Sequence, residues 1–173
     1  MASNPTLRPG HAADAAALLE LYQAVARAAG ALARRPEELD AAYVDGILQA
    51  ALSRGVWLVS EDAQGLCASI HASRPLPRDF QHVLGELTLV VHPRAQGQGL
   101  GHRLFAAFMD HVSEQEPGIT RVELITRDSN ARARRIYEQL GFEQEGRLRR
   151  RVRHGDGRLE DDLFFAWLRP EKP

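Results

Sequence analysis

Three glycines fall within six residues at Gln96-Gly97-Gln98-Gly99-Leu100-Gly101, between a strand-like apolar run and a run with helical spacing. Glycine lets backbone approach a ligand closely and adopt positive φ. A helix start adds amides that have no intrahelical acceptor, backed by the positive end of the helix dipole. Together these features suit a turn to holding phosphate. Two familiar cradles do not fit. A Walker turn closes on Gly-Lys-Ser/Thr, whereas Gly101 is followed by His102 and Arg103. The dinucleotide fingerprint needs glycine at its sixth position, which is His102 counted from Gly97 and Leu104 counted from Gly99. The plain structural alternative is a glycine-rich turn that binds nothing.

Other side chains with chemical potential lie on either side. Asn130 and Tyr137 are seven residues apart, about two helical turns, so both face one side of a helix. Glu86 opens the apolar run before the glycines, and His82 precedes it with an imidazole whose intrinsic pKa suits proton transfer. Near the C-terminus, Asp156-Gly157 favours a tight two-residue hairpin turn. That register sets Arg151 opposite Asp162 and Arg153 opposite Glu160 on an exposed, charge-neutralised face. The other face then carries Leu148, Val152, Leu159, Leu163 and Phe165, with Arg150 and Asp161 among them. An acid on an apolar face wants a partner, Arg150, or a task such as anchoring an ammonium group. Cys67 has no base arranged to activate it, and the seven histidines show no metal-ligand spacing. The arginine run Arg147 to Arg153 reads as a solvated strand paired with the acids opposite, not as a nucleic-acid surface.

The elements that position these residues follow from pattern. Thr6 to Arg8 suits a short strand; Asp14 caps a helix with Leu18, Leu19, Tyr22 and Val25 on one side; Pro36 starts another with Leu39, Tyr43 and Ile47. Val56 to Val59 and Leu66 to Ala72 read as strands around Asp62-Ala63-Gln64-Gly65, followed by a proline-bearing loop from Arg74 to Gln81. Glu86 to Val91 is a strand stopped by Pro93, and its fading alternation predicts cover on both faces. The glycine turn leads into a helix with Leu100, Leu104, Phe105, Phe108 and Val112 inward. Arg121 to Thr126 is a strand and Ala131 to Leu140 a helix ended by Gly141. The last element is the hairpin of Arg147 to His154 and Arg158 to Trp167. Strands alternate with helices in the middle and hairpins sit toward both ends, which implies a mixed sheet with helices on its faces.

Composition excludes several classes. At 173 residues, with no internal repeat, the chain suits one domain, 1–173. A net charge of -1 argues against a dedicated nucleic-acid binder. One cysteine forms no internal disulfide, and MASNPTLRPG lacks the charged-then-apolar run of a signal peptide, so a reducing cytoplasm is expected. Leu163 to Leu168, the longest wholly apolar stretch, is far too short to cross a bilayer, and no membrane role is expected.

Gln96, Gly99 and Gly101 match the Gln/Arg-x-x-Gly-x-Gly/Ala pattern of the GNAT superfamily of N-acetyltransferases. Asn130, Ala133, Tyr137, Gly141 and Phe142 match the family's second signature, Asn-x-x-Ala-x-x-x-Tyr-x-x-x-Gly-Phe. The two motifs stand in the right order and cover about half the chain. From His82 onward, with Glu145-Gly146 and Asp161, the chain also resembles bacterial amino-acid, ribosomal-protein and phosphinothricin acetyltransferases. The resemblance implies an α/β (mixed α+β) GNAT fold, with a mostly antiparallel central sheet of about seven strands and about four helices on its faces.

It also implies acetyl transfer from acetyl-CoA to a primary amine, with no metal. The acceptor expected is the α-amino group of an amino acid or small metabolite. A protein N-terminal acetyltransferase and a non-catalytic acyl-CoA sensor are the alternatives, and a homodimer is the assembly relatives suggest. Amides of Gln96, Gly97, Gln98, Gly99, Leu100 and Gly101 would hold the coenzyme diphosphate. Backbone of Leu89, Val90 and Val91 would pair with the pantetheine arm like an added strand, between two central strands that splay. Asn130 would also touch the coenzyme, and Arg94, Arg103 and Arg132 are candidates for its phosphates. Tyr137 would protonate the departing thiolate. Glu86, directly or through water, would take the amine's proton. His82 and Asp161 are candidate acceptor contacts, and loops near residues 20–40 and 74–85 would shape the acceptor site.

Overall fold

The computed structural model describes residues 5–27 and 32–171. Residues 1–4, part of the N-terminal segment read above, and 28–31, part of the first acceptor loop, lie outside the described residues. Seven strands are formed: β1 (Thr6–Pro9), β2 (Gly55–Asp62), β3 (Gly65–Ser73), β4 (Val83–Val91), β5 (Arg121–Arg127), β6 (Glu143–Arg153) and β7 (Leu159–Leu168). Four α-helices accompany them: α1 (Ala15–Ala26), α2 (Ala41–Arg54), α3 (Leu100–Gln115) and α4 (Ala131–Gln139). The strand order is β1-β2-β3-β4-β5-β7-β6. β4 and β5 run parallel, while β1–β2, β2–β3, β5–β7 and β6–β7 are antiparallel. This is the expected mixed, mostly antiparallel architecture. The chain divides into two compact units, one running to Ser73 and including Thr88–His111, the other comprising Arg74–Leu87 and the residues from Val112 onward.

In the first unit, α1 and α2 bury Leu18, Leu21, Tyr22, Val25, Val44 and Leu48 in one cluster with Trp57, Val59 and Val90. The stripes differ from expectation by single positions: Leu21 is buried where Leu19 is only partly so, and α2 buries Val44 and Leu48 while Tyr43 and Ile47 flank them. The α2 difference has a local cause. Pro36–Glu38 form only a single 3-10 turn, and Asp40 starts the helix proper by accepting the Tyr43 amide at 2.8 Å. Asp14 does stand at the start of α1, but its carboxylate serves Arg8 (2.8 and 2.9 Å) and the His11 amide (3.0 Å) instead of capping the helix. α3 buries the face expected of it, Leu100, Leu104, Phe105, Phe108 and Val112.

In the second unit the hairpin corrects the expected register. The His154 amide bonds to the Arg158 carbonyl and the Gly157 amide to the His154 carbonyl, both at 2.9 Å. Three residues, Gly155-Asp156-Gly157, therefore turn the chain, with Gly157 at φ +84°, because a three-residue loop with a left-handed glycine closes as well as a two-residue one. Arg153 consequently faces Leu159 and Val152 faces Glu160. A bulge follows: Leu148 pairs with Asp162, leaving Arg149, Arg150 and Arg151 opposite Asp161 alone, with Arg150 at φ +54°. Leu163 and Phe165 are buried as expected, but Leu148 and Leu159 are 37% and 41% exposed while Glu160 and Asp162 are buried.

Candidate active site

β4 ends at Val91, and the chain enters α3 through a 3-10 turn, Pro93–Ala95, and the glycines. Gly97 and Gly99 adopt φ +81° and +72°, which an L side chain resists. The Arg103 amide donates to the Gly99 carbonyl at 3.1 Å. That bond opens the helix, so the amides of Leu100, Gly101 and His102 precede the first intrahelical bond and point out of the helix end. A Cβ on Gly101 would lie 3.4 Å from Val91 Cγ2 and 3.8 Å from Leu89 Cδ2, so strand end and helix start are in close approach. Three side chains brace the turn. Gln96 Nε2 donates to the Val91 carbonyl (2.9 Å), and His92 Nδ1 accepts the Arg94 amide (3.1 Å). Arg94 pairs with Asp62 (3.1 Å) and donates to the carbonyls of Gly65 and Leu66. Arg94, a candidate phosphate ligand from its position, is thus a strut. The expected cover on both faces of β4 is also corrected: Val90 is buried, whereas Leu89 and Val91 are half-buried beside Gly101.

Glu86 is exposed on β4 and holds φ +53°. Among the described residues, the β4–β5 ladder registers Val83 with Arg121 and Leu84 with Val122, and no pair beyond them. The non-glycine residue in left-handed conformation two positions later marks where the regular strand is interrupted. His82 is exposed, and its carbonyl accepts the Thr120 amide (2.9 Å) and the Arg121 amide (3.3 Å).

Asn130 Oδ1 accepts the Ala133 amide at 3.2 Å, so this residue caps α4. Seven residues on, Tyr137 is buried, its ring tilted against Phe142 (6.2 Å) and Phe165 (5.7 Å). Burial pushes its phenol above the ordinary range, against a smaller opposing effect of a hydrogen bond with Thr126. The hydroxyl is therefore protonated at neutral pH and remains a proton donor. Thr126 lies on β5 and has no motif to mark it in the sequence. Its only signal was a polar residue at an inward strand position.

Asp161 is committed within the hairpin. Its carboxylate accepts the Arg150 amide (2.8 Å) and the Arg147 guanidinium (2.9 Å), which hold it below the usual carboxylate range. Arg150 is thus a partner through its backbone, not its side chain. Glu160, expected opposite Arg153 on the solvated face, instead accepts the Ser129 amide (2.8 Å) and lies 2.6 Å from His154 Nε2. The Ser129 contacts outweigh its burial and, with His154, bring its pKa down to about 2. Arg151 still lies 3.8 Å from Asp162, whose carboxyl burial pushes up. Cys67 is buried against Ser60 and its thiol pKa is raised by burial, consistent with an unreactive core residue.

Comparison with known proteins places these features. Residues 5–143 match the profile of the family described as acetyltransferase (GNAT) domain. Over 89 residues, half of this chain, the sequence is 40% identical to the mycothiol acetyltransferase of Beutenbergia cavernae, of which the match covers 28%. It is 38% identical over 89 residues to the ribosomal protein bS18 alanine N-acetyltransferase of Escherichia coli, covering 58% of that protein. The fold superposes on a GNAT-family acetyltransferase of Streptococcus pneumoniae with a TM-score of 0.82 at 17% identity, covering 95% of this chain and 99% of the other. It superposes on yncA of Salmonella typhimurium, solved with its cofactor acetyl-CoA, with a TM-score of 0.81 at 23% identity, covering 99% and 97%.

Proposed function

Because the chain belongs to the GNAT acetyltransferase family, we propose that it transfers acetyl from acetyl-CoA to a primary amine, the α-amino group of an amino acid or similar small metabolite. The observation that carries this reading is the turn between β4 and α3, where two left-handed glycines and the open helix end present successive amides. An anion is the ligand such a turn suits, and the diphosphate of acetyl-CoA supplies one. The stretch Leu89, Val90 and Val91, half-buried at Leu89 and Val91, takes the pantetheine arm by strand-like hydrogen bonds, and Asn130 adds a contact from the start of α4.

The chemistry balances without a metal. The amine, freed of its extra proton by Glu86 directly or through a water, attacks the thioester carbonyl carbon. The tetrahedral adduct collapses: the carbon–sulfur bond breaks, the thiolate takes a proton from the Tyr137 hydroxyl, and the nitrogen gives up its remaining extra proton to water, from which the tyrosinate is reprotonated. A phenol held neutral by burial supports that assignment, and Glu86 is exposed to water. His82 and Asp161 are the proposed acceptor contacts, Asp161 through its remaining lone pairs. A buried, unactivated Cys67 fits work in a reducing cytoplasm.

The test follows free-thiol release from acetyl-CoA across free amino acids, simple amines and peptides beginning with alanine. Release that depends on a small amine, with an acid limb of the pH profile that flattens in Glu86→Gln, is the expected result. Preference for the peptides would instead establish a protein N-terminal acetyltransferase, the reading to which the Escherichia coli relative points. Coenzyme binding with no amine-dependent release would reduce the protein to a sensor.

A further inference from the structure

The turn that launches α4 is tied to the last hairpin by side chains that the β6–β7 ladder does not need. Glu160 faces Val152 in that ladder through backbone alone, yet its buried carboxylate reaches to a different segment. One oxygen accepts the Ser129 amide at 2.8 Å and the other lies 2.6 Å from His154 Nε2, with Arg158 at 3.8 Å. Ser129 immediately precedes Asn130, whose own amide closes the turn on the Arg127 carbonyl at 3.0 Å and whose side chain caps α4. The preceding residue is pinned as well. The Asp128 amide donates to the Asp161 carbonyl (3.0 Å), and its carboxylate takes Arg147 (2.8 Å) and Arg134 of α4 (3.2 Å). A buried carboxylate on a strand costs desolvation that an apolar residue would avoid, so its retention calls for a compensating task. Its bond to a backbone amide is also costly to leave unmade.

We propose that Glu160 is a positioning residue: held between the Ser129 amide and the His154 imidazole, it fixes the turn from which α4 starts and so sets where Asn130 and Tyr137 point. This rests on the reading of Tyr137 as the acid. The charge is incidental and the reach essential, which separates two conservative variants. Glu160→Gln keeps an oxygen at the right distance for Ser129, whereas Glu160→Asp keeps the charge but falls a methylene short.

The experiment measures kcat and KM for acetyl-CoA with the best amine of the panel, in the parent and in a Tyr137→Phe background, with folding monitored by thermal melts. Glu160→Asp should lower kcat by roughly 10- to 100-fold, the penalty of a small misplacement, and Glu160→Gln should restore most of it. In the Tyr137→Phe background the Asp variant should cost less than about threefold more, because the group it misplaces is already gone. Parent-like kcat in Glu160→Asp, or an equal loss in both backgrounds, overturns the proposal. Hydrogen exchange of the Ser129 amide, slow in the parent and faster in Glu160→Asp, is read without any turnover. If Tyr137→Phe by itself leaves kcat unchanged, the acid assignment has failed. Unaltered exchange in Glu160→Asp condemns the positioning role separately.

Discussion

A general acid must hold its proton until the leaving group needs it, and Tyr137, the acid proposed above, is placed to do so. The phenol is enclosed by Phe142, Phe165 and the Thr126 contact, and burial disfavours the phenolate. Removing only the hydroxyl leaves the ring packing intact. Tyr137→Phe should therefore fold like the parent, keep its KM for acetyl-CoA within a few-fold, and lose about 100-fold or more in kcat. Steady-state kinetics with a melting curve checks this, and parent-like kcat would show that the ring is there only to pack. The same residue-scale logic separates Asp161 from Glu160 and Asp162. Charge and spacing alone do not distinguish three acids in a row; their partners do, and those partners are a guanidinium with an amide, an amide with an imidazole, and a distant arginine.

The strand–turn–helix from Val83 to Gln115 is the element to which coenzyme binding is assigned in the proposed function. Gly99 has open space around its Cα, so a methyl group there meets no neighbour and the whole penalty comes from φ +72°. Gly99→Ala should cost about 1 kcal/mol of stability and raise the KM for acetyl-CoA several-fold as the turn relaxes and its amides rotate. Gly46→Ala is the control, because its methyl also meets no neighbour but it lies in α2, outside the turn and without positive φ. Equal KM values for the two variants would show that the left-handed conformation is not what shapes the turn. This element was legible in advance: glycines bounded by an apolar run and an amphipathic helix leave few other conformations. The hairpin was not. Its turn carries glycine on both sides of Asp156, both closures are sterically open, and the bulge at Arg149 to Arg151 has no marker in sequence.

At the scale of the whole molecule, acid stability is governed in part by a pair far along the chain. His71 of β3 is buried with its Nε2 2.8 Å from the Tyr22 hydroxyl of α1, and burial lowers its pKa from 6.5 to about 4. The neutral ring shares a hydrogen bond with the phenol hydroxyl, donating or accepting according to its tautomer. Below pH 6.5 the unfolded chain takes up a proton that the folded chain refuses. The stabilisation is thus complete above that value, declines as pH falls toward 4, and is flat below it. The amplitude is on the order of 3 kcal/mol. His71→Gln retains an acceptor for Tyr22 but does not titrate, so its denaturation midpoint should vary less between pH 7 and 4 than the parent's. Parallel pH curves for the two proteins would remove His71 from the account.

The element order, the two motif-bearing segments and the helix-opening glycines were determined by sequence, because each rests on neighbours a few residues apart: glycine dihedrals, caps and the periodicity of apolar side chains. The family followed from the same local pattern. Only the tertiary structure decided that Glu160 and Asp162 of β7 are buried, that Arg94 is a strut, that among the described residues the β4–β5 ladder registers two pairs, and that Glu160 accepts the Ser129 amide. Each of these depends on strand register or on a partner dozens of residues away. A shift of one position reverses every side chain on a strand, yet it leaves local propensities almost unchanged.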